Sequence, residues 1–102
     1  MDEKDSRILV VDDEQDLCEI LKFNLEIEGY QVETANSAEE ALEKDIASYN
    51  LLLLDVMMGG MSGFQLAKQL KNSEVTAHIP IIFLTARDTE NDTVTGFNLG
   101  AD

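Results

Sequence analysis

Asp55 closes the run Leu51-Leu52-Leu53-Leu54 and precedes Val56-Met57-Met58-Gly59-Gly60-Met61-Ser62-Gly63. A leucine run of that length, bounded by turn residues, reads as a strand buried on both faces. A carboxylate inside such a strand is costly; at its last residue it can face a solvated crevice. Asp12 and Asp13 stand in the same relation to a second short apolar strand, Ile8-Leu9-Val10-Val11. If the two strands lie side by side in parallel, three carboxylates from distant parts of the chain meet at one end of a sheet. Two like charges about 4 Å apart repel by roughly 4 kcal/mol at an effective dielectric near 20. A divalent cation relieves that repulsion. Oxygen ligands with no nearby His or Cys constellation select Mg²⁺ over zinc, with Mn²⁺ and, less often, Ca²⁺ as alternatives.

Mg²⁺ keeps several waters and shares itself with phosphate, which leaves one carboxylate free as a nucleophile. Asp55 is the candidate, because a carboxylate can accept a phosphoryl group as an acyl phosphate. The glycines that follow let backbone N–H groups approach phosphate oxygens. Thr85, after Pro80-Ile81-Ile82-Phe83-Leu84, can bring a hydroxyl to the same crevice. Phosphoryl transfer asks mainly for in-line positioning and charge neutralisation. Each residue alone has a plainer reading: the Asp pair as a helix cap, Asp55 as a turn residue, Thr85 as a strand-end hydroxyl bonded to backbone. Their joint placement at three strand ends favours chemistry.

The elements that must position these residues alternate along the chain. Strands are expected at residues 8–11, 30–35, 51–55 and 80–84. A helix over residues 14–28 carries Leu17, Ile20, Leu21 and Leu25 on one face and stops at Gly29. Ser37-Ala38-Glu39-Glu40 reads as a capping box opening a helix to about Ser48. Ser62 to Gln65 reads as a second box, opening a helix that carries Phe64, Ala67 and Leu70. Asp88 is expected to cap a last helix toward Gly96. Alternating strands and helices imply an α/β doubly wound parallel sheet with right-handed crossovers. The second strand alternates polar and apolar residues, which suits an edge, so the expected order is 2-1-3-4. That order reverses direction between the first and third strands, where such sheets bind ligands. The fourth strand reads as an interior strand with no fifth to cover it, an association hazard.

At 102 residues and 44% hydrophobic content, the chain is expected to form one small domain. Seven basic against 21 acidic residues leave a net charge of −14, which repels nucleic acid and anionic membranes. Most of those acids are solvated helix faces. No apolar run approaches about 20 residues, and the amino terminus is polar and acidic rather than signal-like. Cys18, the only cysteine, excludes an internal disulfide and suits a reducing, cytoplasmic compartment. Cys18 reads as a small core residue, His78 as a surface residue and Arg87 as a helix-start residue.

Val10-Val11-Asp12-Asp13-Glu14, Leu54-Asp55-Val56-Met57-Met58, Met61-Ser62-Gly63, Pro80-Ile81-Ile82-Phe83-Leu84-Thr85-Ala86 and Leu99-Gly100-Ala101-Asp102 together resemble the receiver (phosphoacceptor) domain of bacterial two-component response regulators. The resemblance spans the chain in order. It implies a flavodoxin-like fold in which a sensor histidine kinase hands its phosphoryl group to Asp55. It implies that Asp12 and Asp13 hold Mg²⁺, directly or through water, that the Met57 carbonyl completes the site, and that Thr85 contacts the phosphoryl group and moves on activation. The family couples such domains to effectors, commonly DNA-binding transcription regulators. This chain carries no basic recognition element, so any DNA contact is expected to belong to an effector outside it.

Two departures stand out. Gly59 replaces the family's usual proline and should loosen its loop. The sequence ends at Asp102, where family members continue into a fifth strand, bearing a switch aromatic and an active-site lysine, and a fifth helix. Residues 1–102 are therefore expected to be a receiver domain incomplete at its carboxyl end, binding Mg²⁺ but phosphorylated poorly; the alternative is that they are only part of the physical molecule. A homodimer stays open, because the surface members often use for it includes the missing segment. Two other functions compete. A Mg²⁺-dependent aspartyl-phosphate phosphatase would want an acid two residues after the nucleophile, where Met57 stands. An interaction module with a vestigial acidic site would have no need of Asp12, Asp13, Asp55 and Thr85 together.

Overall fold

The computed structural model describes residues 6–84. Thr85, Arg87, Asp88 with the helix expected after it, and Leu99-Gly100-Ala101-Asp102 lie outside the described residues. Four strands, β1 (Arg7–Val11), β2 (Gln31–Ala35), β3 (Leu51–Asp55) and β4 (Ile81–Leu84), form a parallel sheet in the order β2-β1-β3-β4. The register sets the site: Val11 pairs with Leu54 and with Ala35, and Asp55 pairs with Leu84. Asp12, one step beyond Val11, therefore stands level with Asp55.

Period-two alternation sends the strand side chains to two cores. Leu9, Val11, Leu52, Leu54, Ile81 and Phe83 face one side. There they meet α2 (Ala38–Leu42), a 3₁₀ turn (Ile46–Ser48) and α3 (Gly63–Lys71). Ile8, Val10, Val32 and Leu53 face the other side, where α1 (Gln15–Ile27) covers them with Cys18, Leu21 and Leu25. β2 lies at one edge; Gln31 and Glu33 are exposed, while Val32 is buried on one face of the sheet and Ala35 on the other. β4 ends the described sheet on the other side; Ile81 and Phe83 are buried, Ile82 and Leu84 partly so.

Three helix expectations need correction. Ile20 does not share the buried stripe of α1; it is 56% exposed, while Cys18 is buried. The small thiol lets the helix approach the sheet, and the contact stripe is too narrow to include Ile20. Ile20, Phe23 and Ile27 instead form an exposed row. The helix after Ser37 does not reach Ser48; it stops at Leu42, and a 3₁₀ turn follows. Glu43 and Asp45 place negative charge at the negative end of the helix dipole, and no basic residue stands in the last turn. The break also lets both Ile46 and Tyr49 reach the core. On α3, Phe64 is 54% exposed and touches the Phe83 ring edge-on, while Leu66, Ala67 and Leu70 fill the core.

The caps behave unequally. Ser62 and Gln65 form the full reciprocal box at α3. At α2 the Ser37 hydroxyl accepts from Glu40 N–H, but the Glu40 carboxylate reaches past Ser37 to accept from Asn36 N–H at 2.9 Å. Gly29, at φ +104°, follows the carboxyl cap of α1. No helix of the described residues is long and apolar enough to cross a membrane.

Candidate functional site

The acidic constellation forms where the register requires it. One carboxylate oxygen from each of Asp12, Asp13 and Asp55 lies within 4.8 Å of the others. Asp12 is 1% exposed and Asp55 7%; Asp13 is open to solvent. Asp12 N–H continues the strand ladder to Ala35 carbonyl at 3.1 Å. Its Oδ1 accepts from Glu14 N–H at 2.9 Å. Asp13 Oδ2 accepts from Gly59 N–H at 3.4 Å, joining the β1 and β3 loops. Asp55 Oδ1 accepts from Met57 N–H at 3.2 Å. The Met57 side chain points to solvent, 63% exposed.

Burial first, then the negative charge of Asp12, pushes Asp55 up to about 6. Asp12 is also raised, by burial above all. Cys18 beneath it is pushed up to about 11 by burial and by the Asp12 charge, so its thiol stays protonated and inert. Asp12 Oδ2 is buried with no hydrogen-bond partner among the described residues. A buried carboxylate oxygen without a donor is expensive unless something positive answers it. That orphaned oxygen, with two more hard oxygen donors beside it, fits a Mg²⁺ ion.

A consequence is pH-dependent metal affinity, since a ligand must lose its proton to coordinate. With Asp55 near 6, Mg²⁺ is expected to bind about tenfold more weakly at pH 5 than at pH 8. Titration calorimetry at both values checks this. Equal affinities would mean that Asp55 is not a ligand.

Several contacts that support the site were not legible in the sequence. Asn36 Nδ2 and Cys18 Sγ both donate to the Asp12 carbonyl, at 3.1 and 3.3 Å. Gly63 lies against the Asp55 backbone: a Cβ there would stand 2.9 Å from the Asp55 carbonyl carbon and closer still to its oxygen. Gly63 N–H also donates to Val56 carbonyl at 3.1 Å. The Ser62 cap beside it was legible; the close approach was not, because it joins a strand end to the start of a helix in space.

The chain matches the model of the response regulator receiver domain over residues 8–102. It is 45% identical over 97 residues to a transcriptional regulatory protein CpxR homolog of Haemophilus influenzae, covering 95% of this chain and 41% of that protein. It is also 45% identical over 97 residues to the alkaline phosphatase synthesis transcriptional regulatory protein PhoP of Bacillus subtilis, covering 94% and 40%. The chain thus spans about two fifths of the length of these curated relatives. Its fold superposes on the response regulator protein TrrA of Thermotoga maritima, solved in complex with Mg(2+)-BeF, at a TM-score of 0.75 and 42% identity over 82% of this chain and 72% of that one. A signal receiver domain of a signal transduction histidine kinase from Syntrophus aciditrophicus gives a TM-score of 0.77 and 33% identity, over 96% and 75%.

Proposed function

The chain belongs to the response regulator receiver domain family, and from that premise we propose that it accepts a phosphoryl group from a sensor histidine kinase onto Asp55. The observation that carries this reading is the meeting of Asp12, Asp13 and Asp55 at the ends of β1 and β3, with one buried oxygen unanswered. Asp12, Asp13, Asp55 and the Met57 carbonyl would hold Mg²⁺, with Mn²⁺ as a substitute. Bound there, the ion supplies positive charge against the phosphoryl oxygens.

The chain's own residues do the rest. Asp55 is mostly ionised above pH 6 and presents a carboxylate oxygen at the mouth of the crevice. That oxygen forms a bond to phosphorus as the donor's P–N bond breaks. The imidazole leaves with the electron pair and is neutralised by a solvent proton. Met57 N–H, on Oδ1, fixes the orientation of the carboxylate. Thr85 would contact the transferred group and move with it. The position two residues after Asp55 is an exposed Met57 rather than an acid, so the acyl phosphate lacks the general acid–base partner of a phosphatase. The product is a change of charge state that a partner reads, which makes the chain a signalling element rather than a turnover enzyme.

By analogy with relatives described as transcriptional regulatory proteins, the effector governed by this domain is a DNA-binding regulator in the cytoplasm. DNA contact is then the effector's and not this acidic chain's. A homodimer is one route by which phosphorylation can reach such an effector.

Acetyl phosphate with Mg²⁺ tests the reading. The expected product carries one phosphoryl group by intact mass, is labile in alkali, and yields homoserine at residue 55 after borohydride reduction. Phosphate elsewhere, or none on a folded Mg²⁺-bound chain, refutes it.

A further inference from the structure

The Asp12 carbonyl belongs to the single peptide group that links Asp12 to Asp13. Two side-chain donors from different elements hold it: Asn36 Nδ2, from the loop after β2, at 3.1 Å, and Cys18 Sγ, from α1, at 3.3 Å. The two donors also lie near each other, Asn36 Nδ2 standing 3.8 Å from Cys18 Sγ. Asn36 is anchored in turn, because its N–H donates to the Glu40 carboxylate at 2.9 Å, and Glu40 N–H is held by the Ser37 hydroxyl at 2.9 Å.

We propose that Asn36 and Cys18 are positioning residues that lock the Asp12–Asp13 peptide plane and thereby hold both acids in the spacing a divalent cation needs. The proposal rests on the phosphoacceptor reading of the site. The effect is rotational. A peptide is planar, so fixing its carbonyl fixes the directions in which the chain enters at Asp12 and leaves at Asp13. Asp12 has its own anchors, in the ladder bond to Ala35 and the Glu14 N–H. Asp13 is exposed and, among the described residues, has only the long 3.4 Å contact with Gly59 N–H. Asp13 therefore depends most on the clamp. Groups that orient metal ligands without touching the metal typically contribute about 10–100-fold to affinity. The clamp also ties the start of α2 to the acidic site, so a disturbance at Glu40 or Asn36 is felt at the metal.

The test measures Mg²⁺ affinity by titration calorimetry at pH 8 with no phosphodonor present. Asn36→Leu, which keeps the bulk and removes the donor, is expected to weaken Mg²⁺ about tenfold. Cys18→Ala should weaken it severalfold, and Cys18→Ser, which restores a donor, should return it to near the wild-type value. Leu70→Ala, on α3 in the core, lowers stability without touching the clamp and should leave affinity unchanged. An Asn36→Leu affinity within twofold of wild type overturns the proposal. So does an equal loss in Leu70→Ala, which would reduce the effect to general softening. If the wild type itself takes up no Mg²⁺, the phosphoacceptor reading fails and the clamp with it, an outcome distinct from both.

Discussion

Asp55→Asn should abolish phosphate uptake and at the same time raise the metal-free melting temperature at pH 8. The first effect follows from chemistry, since an amide oxygen is too weak a nucleophile to form the acyl phosphate. The second follows from electrostatics. Asp12 and Asp55 are both buried, and burial followed by the Asp12 charge raises Asp55. At pH 8 Asp55 is ionised in the metal-free fold, and burying its charge beside Asp12 costs on the order of 2 kcal/mol. The amide introduced by Asp55→Asn would remove one charge and supply a donor to the orphaned Asp12 Oδ2, while its oxygen keeps the Met57 N–H bond. A rise of roughly 8 °C is expected for a domain of this size.

The sign with pH is fixed. The Asp55 pKa is raised by folding from 3.8 to about 6, so the folded state holds the proton more tightly than the unfolded one. The favourable contribution of that proton is complete below pH 4 and is lost as pH rises through 6. The advantage of the Asp55→Asn variant should therefore vanish near pH 4 and close again at pH 8 when millimolar Mg²⁺ stabilises the wild type. Thermal denaturation at the two pH values, with and without Mg²⁺, reads all of this. A lower melting temperature for Asp55→Asn at pH 8 would mean that the three acids are not in mutual repulsion.

Gly63→Ala is the second large effect, and Gly59→Ala is its control. A methyl on Gly63 would overlap the Asp55 carbonyl and crowd Val56 Cα at 3.1 Å. All of these are backbone atoms, so no side chain can swing aside. The expected loss is about 3 kcal/mol or more, a fall of ~12 °C or more in melting temperature. Because α3 must back away from β3, Asp55 should shift as well, and phosphate uptake should fall with stability. Gly59 is different. Nothing stands within 4 Å of its missing Cβ, and its backbone lies outside the left-handed region that alone would exclude alanine. Gly59→Ala should be neutral or stabilising by up to about 1 kcal/mol, through the unfolded chain. If both substitutions behave alike in denaturation, the close approach of α3 to the strand end is wrong.

Much of the fold was legible in the sequence because apolar runs and caps are local signals. Leu51 to Asp55 could be read as a buried strand from its own composition, and Ser62 with Gln65 as a helix start from spacing alone. The alternation of β2 announced its edge position. What failed was tertiary in cause. The helical period of residues 14–28 is compatible with Ile20 or Cys18 inward, and only the distance of α1 from the sheet selects Cys18. The helix after Ser37 looked continuous because propensity does not record that Ile46 and Tyr49 must both reach one core.

The sequence by itself determined which chemistry was available: hard oxygen donors at strand ends, a nucleophile followed by glycines, and no His or Cys constellation beside them. It determined this because residue type and strand-end position are written in the order of the chain. The tertiary structure decided what joins those groups. Pairing Val11 with Leu54 sets Asp12 beside Asp55. Gly63 gains its importance from the end of β3, against which it is packed, and Asn36 and Cys18 theirs from a carbonyl they reach across two loops. Such contacts depend on register and on the approach of elements distant in the chain, and no local pattern encodes either.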